Sequence, residues 1–405
     1  MRCVIYLLVC LFSLQLYGQN LLSGGVLKPE QANMDIRHYT IALYVDPQQK
    51  TINGYTEIEL DLLQPSNILL FDLWHGLTVK DIQVNGKKKA FTHTKDDLIR
   101  IQFSQPLAAK RTKVKIAYGG TPGIAERAPW TGGFQWEKDS LGNPWIAVSC
   151  QGEGSKIYFP SKDHPSDEPN EGADMMITVP KGLVVTGPGL LQKVSNKGAK
   201  STYHWKTNYT INNYCIVFNV GKYALAKRMY TTVNGNKVPM EYYVLEQNKH
   251  KAEKLLDLYE QSARILEKYF GEFPWVKERI GLTETPHLGM EHQTNVAYGN
   301  QYRYQKIGNA DFDWLLHHEF AHEWWANKVS NNDWAHMWIQ EGIGSYGDAM
   351  AYRELGGEDA YLQRMKSTAM STQNKVAIVQ GESGVQSDSA YKEKFMERVL
   401  FSCIH

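Results

Sequence analysis

Cysteine is scarce in this chain, and what there is lies scattered. Of five cysteines in 405 residues, Cys3 and Cys10 fall at the very start. Cys150, Cys215 and Cys403 remain, too few and too far apart for a disulfide framework. A Cys150–Cys215 bridge is open to a chain in an oxidising compartment, but two buried free thiols are the expected state. Net charge is nearly absent as well: 44 Lys and Arg against 43 Asp and Glu leave +1. That gives no basis for nucleic acid or an anionic membrane as a partner. Repeats and low-complexity tracts are missing, and past the first residues no apolar run is long enough to span a bilayer.

The first residues have the layout of a secretory signal. Arg2 supplies charge, Val4 to Leu16 an apolar stretch, and Gly18 a small residue before a cut ahead of Gln19. Bulky Val9 ahead of Cys10 argues against a lipoprotein cleavage site. Residues 1–18 are therefore expected to be a signal peptide. The mature protein is expected to be soluble and exported, periplasmic or extracellular, with no membrane anchor after cleavage.

Length allows two or three domains. From about Asp35 to Val220 the pattern is short alternating strands: His38 to Asp46 stops at Pro47, Tyr55 to Leu60 alternates again, and Val84-Asn85-Gly86-Lys87 is a hairpin signal. The abundance of aromatics, 23 Tyr and 11 Trp, suits strands and aromatic-lined clefts. Helical period then takes over. Lys251 to Phe270 carries Leu255, Leu256, Leu258, Tyr259, Ile265, Leu266 and Tyr269 on one stripe. Helices are expected again over Asp313–Lys328 and over Glu341–Leu355, the latter closed by Gly356-Gly357. This predicts an α+β multidomain protein, with an all-β domain over 19–225 and a mainly helical one over 226–405.

Chemistry concentrates in His318-Glu319-Phe320-Ala321-His322 and in Glu341, with eighteen residues between His322 and Glu341. Positions i and i+4 of a helix share a face, so two imidazoles can grip one ion. Two His and one carboxylate leave a fourth position open, as in a catalytic zinc site rather than a structural one. One Zn2+ per chain is expected on His318, His322 and Glu341, with Glu319 as the catalytic base. Asp348 lies two helical turns beyond Glu341 and is the candidate to orient a ligand imidazole. Trp324 and Trp325 are expected to pack beside the ligands.

Upstream stands Pro286-His287-Leu288-Gly289-Met290-Glu291-His292-Gln293. Gly289-Met290-Glu291 ahead of such a zinc motif resembles the exopeptidase signature, Gly-x-Met-Glu-Asn, of the gluzincin aminopeptidases, the group that contains aminopeptidase N and leukotriene hydrolase. Leu288 and His292 replace the first Gly and the Asn. The resemblance extends to His322-Glu323-Trp324-Trp325-Ala326-Asn327 and to Gln340-Glu341-Gly342 through Tyr346. It extends also to Cys150-Gln151-Gly152-Glu153 leading to Phe159-Pro160 and Asp167-Glu168-Pro169. It implies a saddle-like N-terminal β-domain followed by a thermolysin-like catalytic domain. It implies too that Glu291 binds the substrate's free α-amine, with Gln151 beside it (Glu153 as fallback) and Gly289 and Met290 lining the site. A carboxylate aimed at an ammonium fixes where a peptide must start, so only its first bond reaches the metal.

The family's oxyanion-stabilising tyrosine, in a Tyr-x-Lys-Gly-Ala run, has no counterpart here. Tyr391 is the tyrosine in range, and its neighbours do not match. Read from the third base of the Lys394 codon, permitted codons through His405 give Ile-Tyr-Gly-Lys-Gly-Ala-Leu-Phe-Leu-His-Thr. The expectation is a single-base frameshift near Lys394, with residues from about 395 out of frame and the catalytic domain incomplete at its C-terminus. The reading is thus a zinc aminopeptidase acting on peptides with a free N-terminus. The alternatives are an epoxide hydrolase of the leukotriene hydrolase type and an inactive zinc- or peptide-binding fragment. Resequencing the Lys394 locus is expected to restore the Tyr-Gly-Lys-Gly-Ala run; an in-frame stop with no continuation of the pattern downstream would refute the frameshift.

Overall fold

A computed structural model of the chain describes residues 22–371, 377–379 and 381–390. The signal peptide, Tyr391, Cys403 and the out-of-frame stretch from about 395 are readings that lie outside the described residues.

Alternation builds the N-terminal half. The strand Met34–Asp46 buries Met34, Ile36, Tyr39, Ile41, Leu43 and Val45 on one face. The parity changes between Ile36 and Tyr39 because the register against Thr51–Leu62 slips there by one residue. An inserted residue of this kind turns every later side chain to the other face, and here it keeps the apolar set inward. This strand is central in an eight-stranded sheet ordered Leu190–Lys197, Lys200–Thr207, Ala173–Pro180, Met34–Asp46, Thr51–Leu62, Arg111–Gly120, Leu77–Val84, Lys87–Lys88. Its pairing with Ala173–Pro180 is parallel. The Val84–Lys87 hairpin turns through Asn85 (φ 49°) and Gly86 (φ 76°), the two positive angles a tight two-residue turn needs. A three-stranded and a four-stranded sheet complete this half, the latter including Gly133–Lys138 and Pro144–Ser149. Between the sheets lies a continuous apolar core that takes in Tyr39, Phe134, Tyr158 and Trp205.

The second half opens on a five-stranded sheet ordered Tyr223–Thr231, Lys237–Leu245, Ile280–Glu284, Val296–Tyr298, Gly289–Met290. The sequence pattern does not announce it. Ile280–Glu284 and Val296–Tyr298 are buried at every position, so they lack the alternation that betrays a half-exposed strand. The boundary expected between 225 and 226 falls inside the strand Tyr223–Thr231. Against this sheet packs the helix Ala252–Phe270, which buries Leu255, Leu256, Leu258, Tyr259, Ile265 and Leu266 and stops at Gly271 (φ 84°). Tyr259 meets Phe320 edge-on, ring centroids 4.6 Å apart, and so braces the next helix from behind.

That next helix, Trp314–Ala321, is shorter than the expected Asp313–Lys328. Asp313 caps its start by accepting from the Leu316 amide. Past His322 the ladder widens to bonds five residues apart: Asn327 N–H to His322 C=O, Lys328 to Glu323 and Val329 to Trp324. Such widened turns end a regular helix and are common at functional sites. The last long element, Trp338–Ser371, is two helices joined at Gly357 (φ 80°), where the Gly-Gly pair was expected to close the first. Among the described residues no helix is long and apolar enough to cross a membrane, and Cys150 and Cys215 are buried free thiols.

Ile41 is fully buried in the middle of the central strand. Ile41→Ala is expected to lower unfolding stability by about 2–5 kcal/mol in a denaturant titration; a loss under about 1 kcal/mol would show that this face is not the core.

Candidate metal centre

His318 lies inside the short helix and His322 at its C-cap, while Glu341 lies in the first turn of Trp338–Ser371. Their ligand atoms all fall within 4.8 Å of one another. The two Nε2 atoms are 3.3 Å apart, and Glu341 Oε2 lies 3.6 Å from His318 Nε2 and 3.7 Å from His322 Nε2. Donors about 2.0–2.2 Å from a tetrahedral zinc sit roughly 3.3–3.6 Å from each other, so the three fit that ion closely. The ring faces are set by partners on the far side. His322 Nδ1 donates to the Trp325 carbonyl at 2.9 Å, which leaves Nε2 with its lone pair toward the cluster. His318 Nδ1 lies 3.3 Å from Asp348 Oδ2, and that oxygen also accepts from Trp314 Nε1 at 2.8 Å. Trp314 stacks on the His318 ring at 5.3 Å between centroids.

Two glycines make room for the cluster. A Cβ on Gly344 would stand 2.9 Å from His322 Cε1, and one on Gly289 only 2.5 Å from Glu319 Oε1. Electrostatics then explain why a cation belongs here. Burial raises the Glu319 carboxyl well above its usual range; His318 pulls it down, and the nearby carboxylates of Glu291, Glu341 and Asp348 push it further up. Burial alone would lower His318, but Asp348 and Glu341 outweigh it and raise its pKa well above the ordinary imidazole value. Burial works against ionisation of Glu341 too, yet His322 and His318 hold it down at about 2. A divalent ion relieves the repulsion among these acids directly.

Glu291 is buried, 3% exposed, and its Oε1 accepts from Gln151 Nε2 at 2.6 Å and from the Tyr214 hydroxyl at 2.9 Å. Its backbone carbonyl accepts from Asn327 Nδ2 at 2.8 Å. Asn327 Oδ1 lies 3.3 Å from Cys215 Sγ, so the turn after the second histidine is tied to both the glutamate and the N-terminal half. Glu323, beside His322, accepts from Thr294 N at 2.8 Å and Trp275 Nε1 at 2.7 Å, which fastens the metal helix to the loop after Glu291. A cavity of about 700 Å3 joins Gln151, Glu153, Gly289, Met290, Glu291, Glu319 and the three ligands in one cleft. Leu288 lines it, whereas His292 is wholly buried and is not part of its wall.

All nine residues singled out from the sequence (Gln151, Gly289, Met290, Glu291, His318, Glu319, His322, Glu341 and Asp348) therefore stand in or against this cleft. Trp324 is buried in the core and Trp325 packs on Phe270 at 5.7 Å, neither touching the cluster as a ligand. Sequence reasoning missed Tyr214, Trp314 and Gly344. Trp314 stands four residues before His318, so helical spacing could have found it, as could the glycine one turn after Glu341. Tyr214 sits in a short 3-10 turn with no pattern to mark it. Removing the acid behind His318, as in Asp348→Ala, is expected to weaken zinc about 10–100-fold in a chelator competition; unchanged affinity would show that Asp348 does not orient the ligand.

Residues 255–398 match the model of the Peptidase family M1 domain. Leukotriene A-4 hydrolase of Xenopus laevis is 26% identical over 355 residues, covering 82% of this chain and 53% of its own length. Leucine aminopeptidase 2 of Neurospora crassa is 24% identical over 340 residues, covering 80% and 48%. The chain thus spans about half the length of the curated relatives it matches. Among solved structures, the M1 zinc metallopeptidase of Deinococcus radiodurans superposes with a TM-score of 0.67 at 21% identity, over 86% of this chain and 75% of that one. Yeast LTA4 hydrolase gives 0.71 at 18% identity, over 92% and 58%. The matched region holds all three residues of the metal cluster, and the fold is the one these solved structures share.

Proposed function

We propose that the protein is a zinc-dependent aminopeptidase that hydrolyses the first peptide bond of peptides with a free N-terminus. The observation that carries this reading is the placement of Glu291, backed by Gln151 and Tyr214, in the same cleft as the ligand triad. Glu291 receives the α-ammonium, and its charge fixes the start of the substrate, so the first carbonyl alone reaches the metal. Zinc, when bound, supplies a Lewis acid for that carbonyl and for the attacking water. Glu319, held against Gly289 with a raised pKa, takes the proton of the water and delivers it to the leaving amine. The epoxide-hydrolase alternative uses the same ligands and has no separate observation in its favour. Export to the periplasm or the medium belongs to the same proposal; it rests on residues 1–18, and N-terminal sequencing of the exported chain should begin at Gln19.

Glu319→Gln is expected to cost about 10²–10⁴-fold in kcat on aminoacyl-nitroanilides while the protein keeps one equivalent of zinc. Glu291→Ala is expected to abolish the preference for a free α-amine over an N-acetylated substrate. Wild-type turnover by Glu319→Gln, or cleavage of acetylated peptides by the wild type, would overturn the reading.

A further inference from the structure

The cleft carries a carboxylate that the proposed chemistry does not use. Glu153 is 7% exposed and lines the cavity with Glu291 and the ligands; its buried Oε2 meets no donor in full hydrogen-bond geometry, and the amides of Gly132 and of Glu153 itself ease its charge without a cation. Other buried acids nearby have committed cations. Asp163 Oδ2 takes Lys156 Nζ at 2.9 Å, and Asp167 Oδ1 takes Lys162 Nζ at 2.9 Å. Lys156, whose charge reaches Glu153, is thus already held by Asp163 and by the Leu22 carbonyl. Arg127, the arginine of the cleft, lies over the exposed Trp130 ring at 5.6 Å and forms no ion pair with Glu153 among the described residues.

The space around Glu153 is kept by backbone. A Cβ on Gly132 would stand 2.4 Å from Glu153 Oε2, so bare glycine is what lets the carboxylate lie against this backbone at the edge of the cleft. Glu153 shares with Gln151 the turn closed by Gly154 N–H on the Cys150 carbonyl at 2.8 Å. Gln151 in turn touches Glu291, so Glu153 belongs to the wall that receives the amine end of a substrate. Burial pushes its carboxyl up to about 7, a cost that a cation seated beside it would offset.

We propose that Glu153 is a specificity-determining residue that selects a basic first residue, arginine or lysine, in the substrate. This rests on the aminopeptidase reading, in which Glu291 fixes the α-amine and the first side chain falls beside it.

Titration calorimetry on the zinc-loaded full chain tests this with L-argininamide, L-citrullinamide (equal in length, uncharged) and L-norleucinamide. Argininamide is expected to bind roughly tenfold or more tighter than either neutral amide. Glu153→Gln should bring that ratio to about one. Argininamide no tighter than citrullinamide on the wild type, or a ratio that survives in Glu153→Gln, overturns the proposal. The citrullinamide comparison needs no substitution, so it decides the matter even if the variant fails to fold. Glu291→Gln should weaken all three amides alike; unchanged binding there refutes the amine-anchor reading itself, separately from Glu153.

Discussion

Glu291, Glu319, Glu341 and Asp348 converge with His318 and His322 in a largely buried space. Left to themselves, the carboxylates repel and some must hold protons, which is why burial lifts Glu319 while the imidazoles hold Glu341 down. One divalent cation resolves the conflict better than any rearrangement of side chains. The rest of the second half can be understood as scaffolding for that cluster. Tyr259 braces the short helix from behind, Glu323 ties it to the loop after Glu291, and Trp314 and Asp348 fix one imidazole. The N-terminal β half contributes to the chemistry as well, since Gln151 and Tyr214 supply both hydrogen bonds to Glu291 Oε1.

The close packing at this centre depends on missing side chains. Gly289 and Gly344 each leave a space that a reactive group fills, the carboxylate of Glu319 in one case and the ring of His322 in the other. Gly132 does the same for Glu153. Three backbone positions thus set where three functional groups can lie, an arrangement that rigid elements keep within tenths of an ångström.

The ligand set was legible in the sequence because helical geometry turns a spacing of four into a shared face, and because a carboxylate downstream supplies the third donor. The alternating strands of the N-terminal half were legible for the same kind of reason, as half-buried faces leave a period of two. What stayed hidden has a physical cause too. The five-stranded sheet holds short strands buried on both faces, Ile280–Glu284 and Val296–Tyr298, so they lack the alternation a half-exposed strand shows. The early end of the metal helix comes from hydrogen bonds five residues apart, which no propensity encodes. Tyr214 reaches Glu291 across 77 residues of chain, and no local pattern marks a contact of that range.

Of the two buried thiols, Cys215 sits where the halves meet and Cys150 just behind it in the N-terminal core, on the Tyr214 carbonyl. Cys215 contacts Asn327 and the carbonyl of Glu291, and Cys150 immediately precedes Gln151. Neither can meet a reagent while the two halves stay closed on each other. Their alkylation rate is therefore a clock for opening at the seam, read without substrate and without turnover. Any ligand that bridges Gln151 and Glu291 holds that seam shut and slows the clock, so the sulfurs report occupancy of a site they do not form.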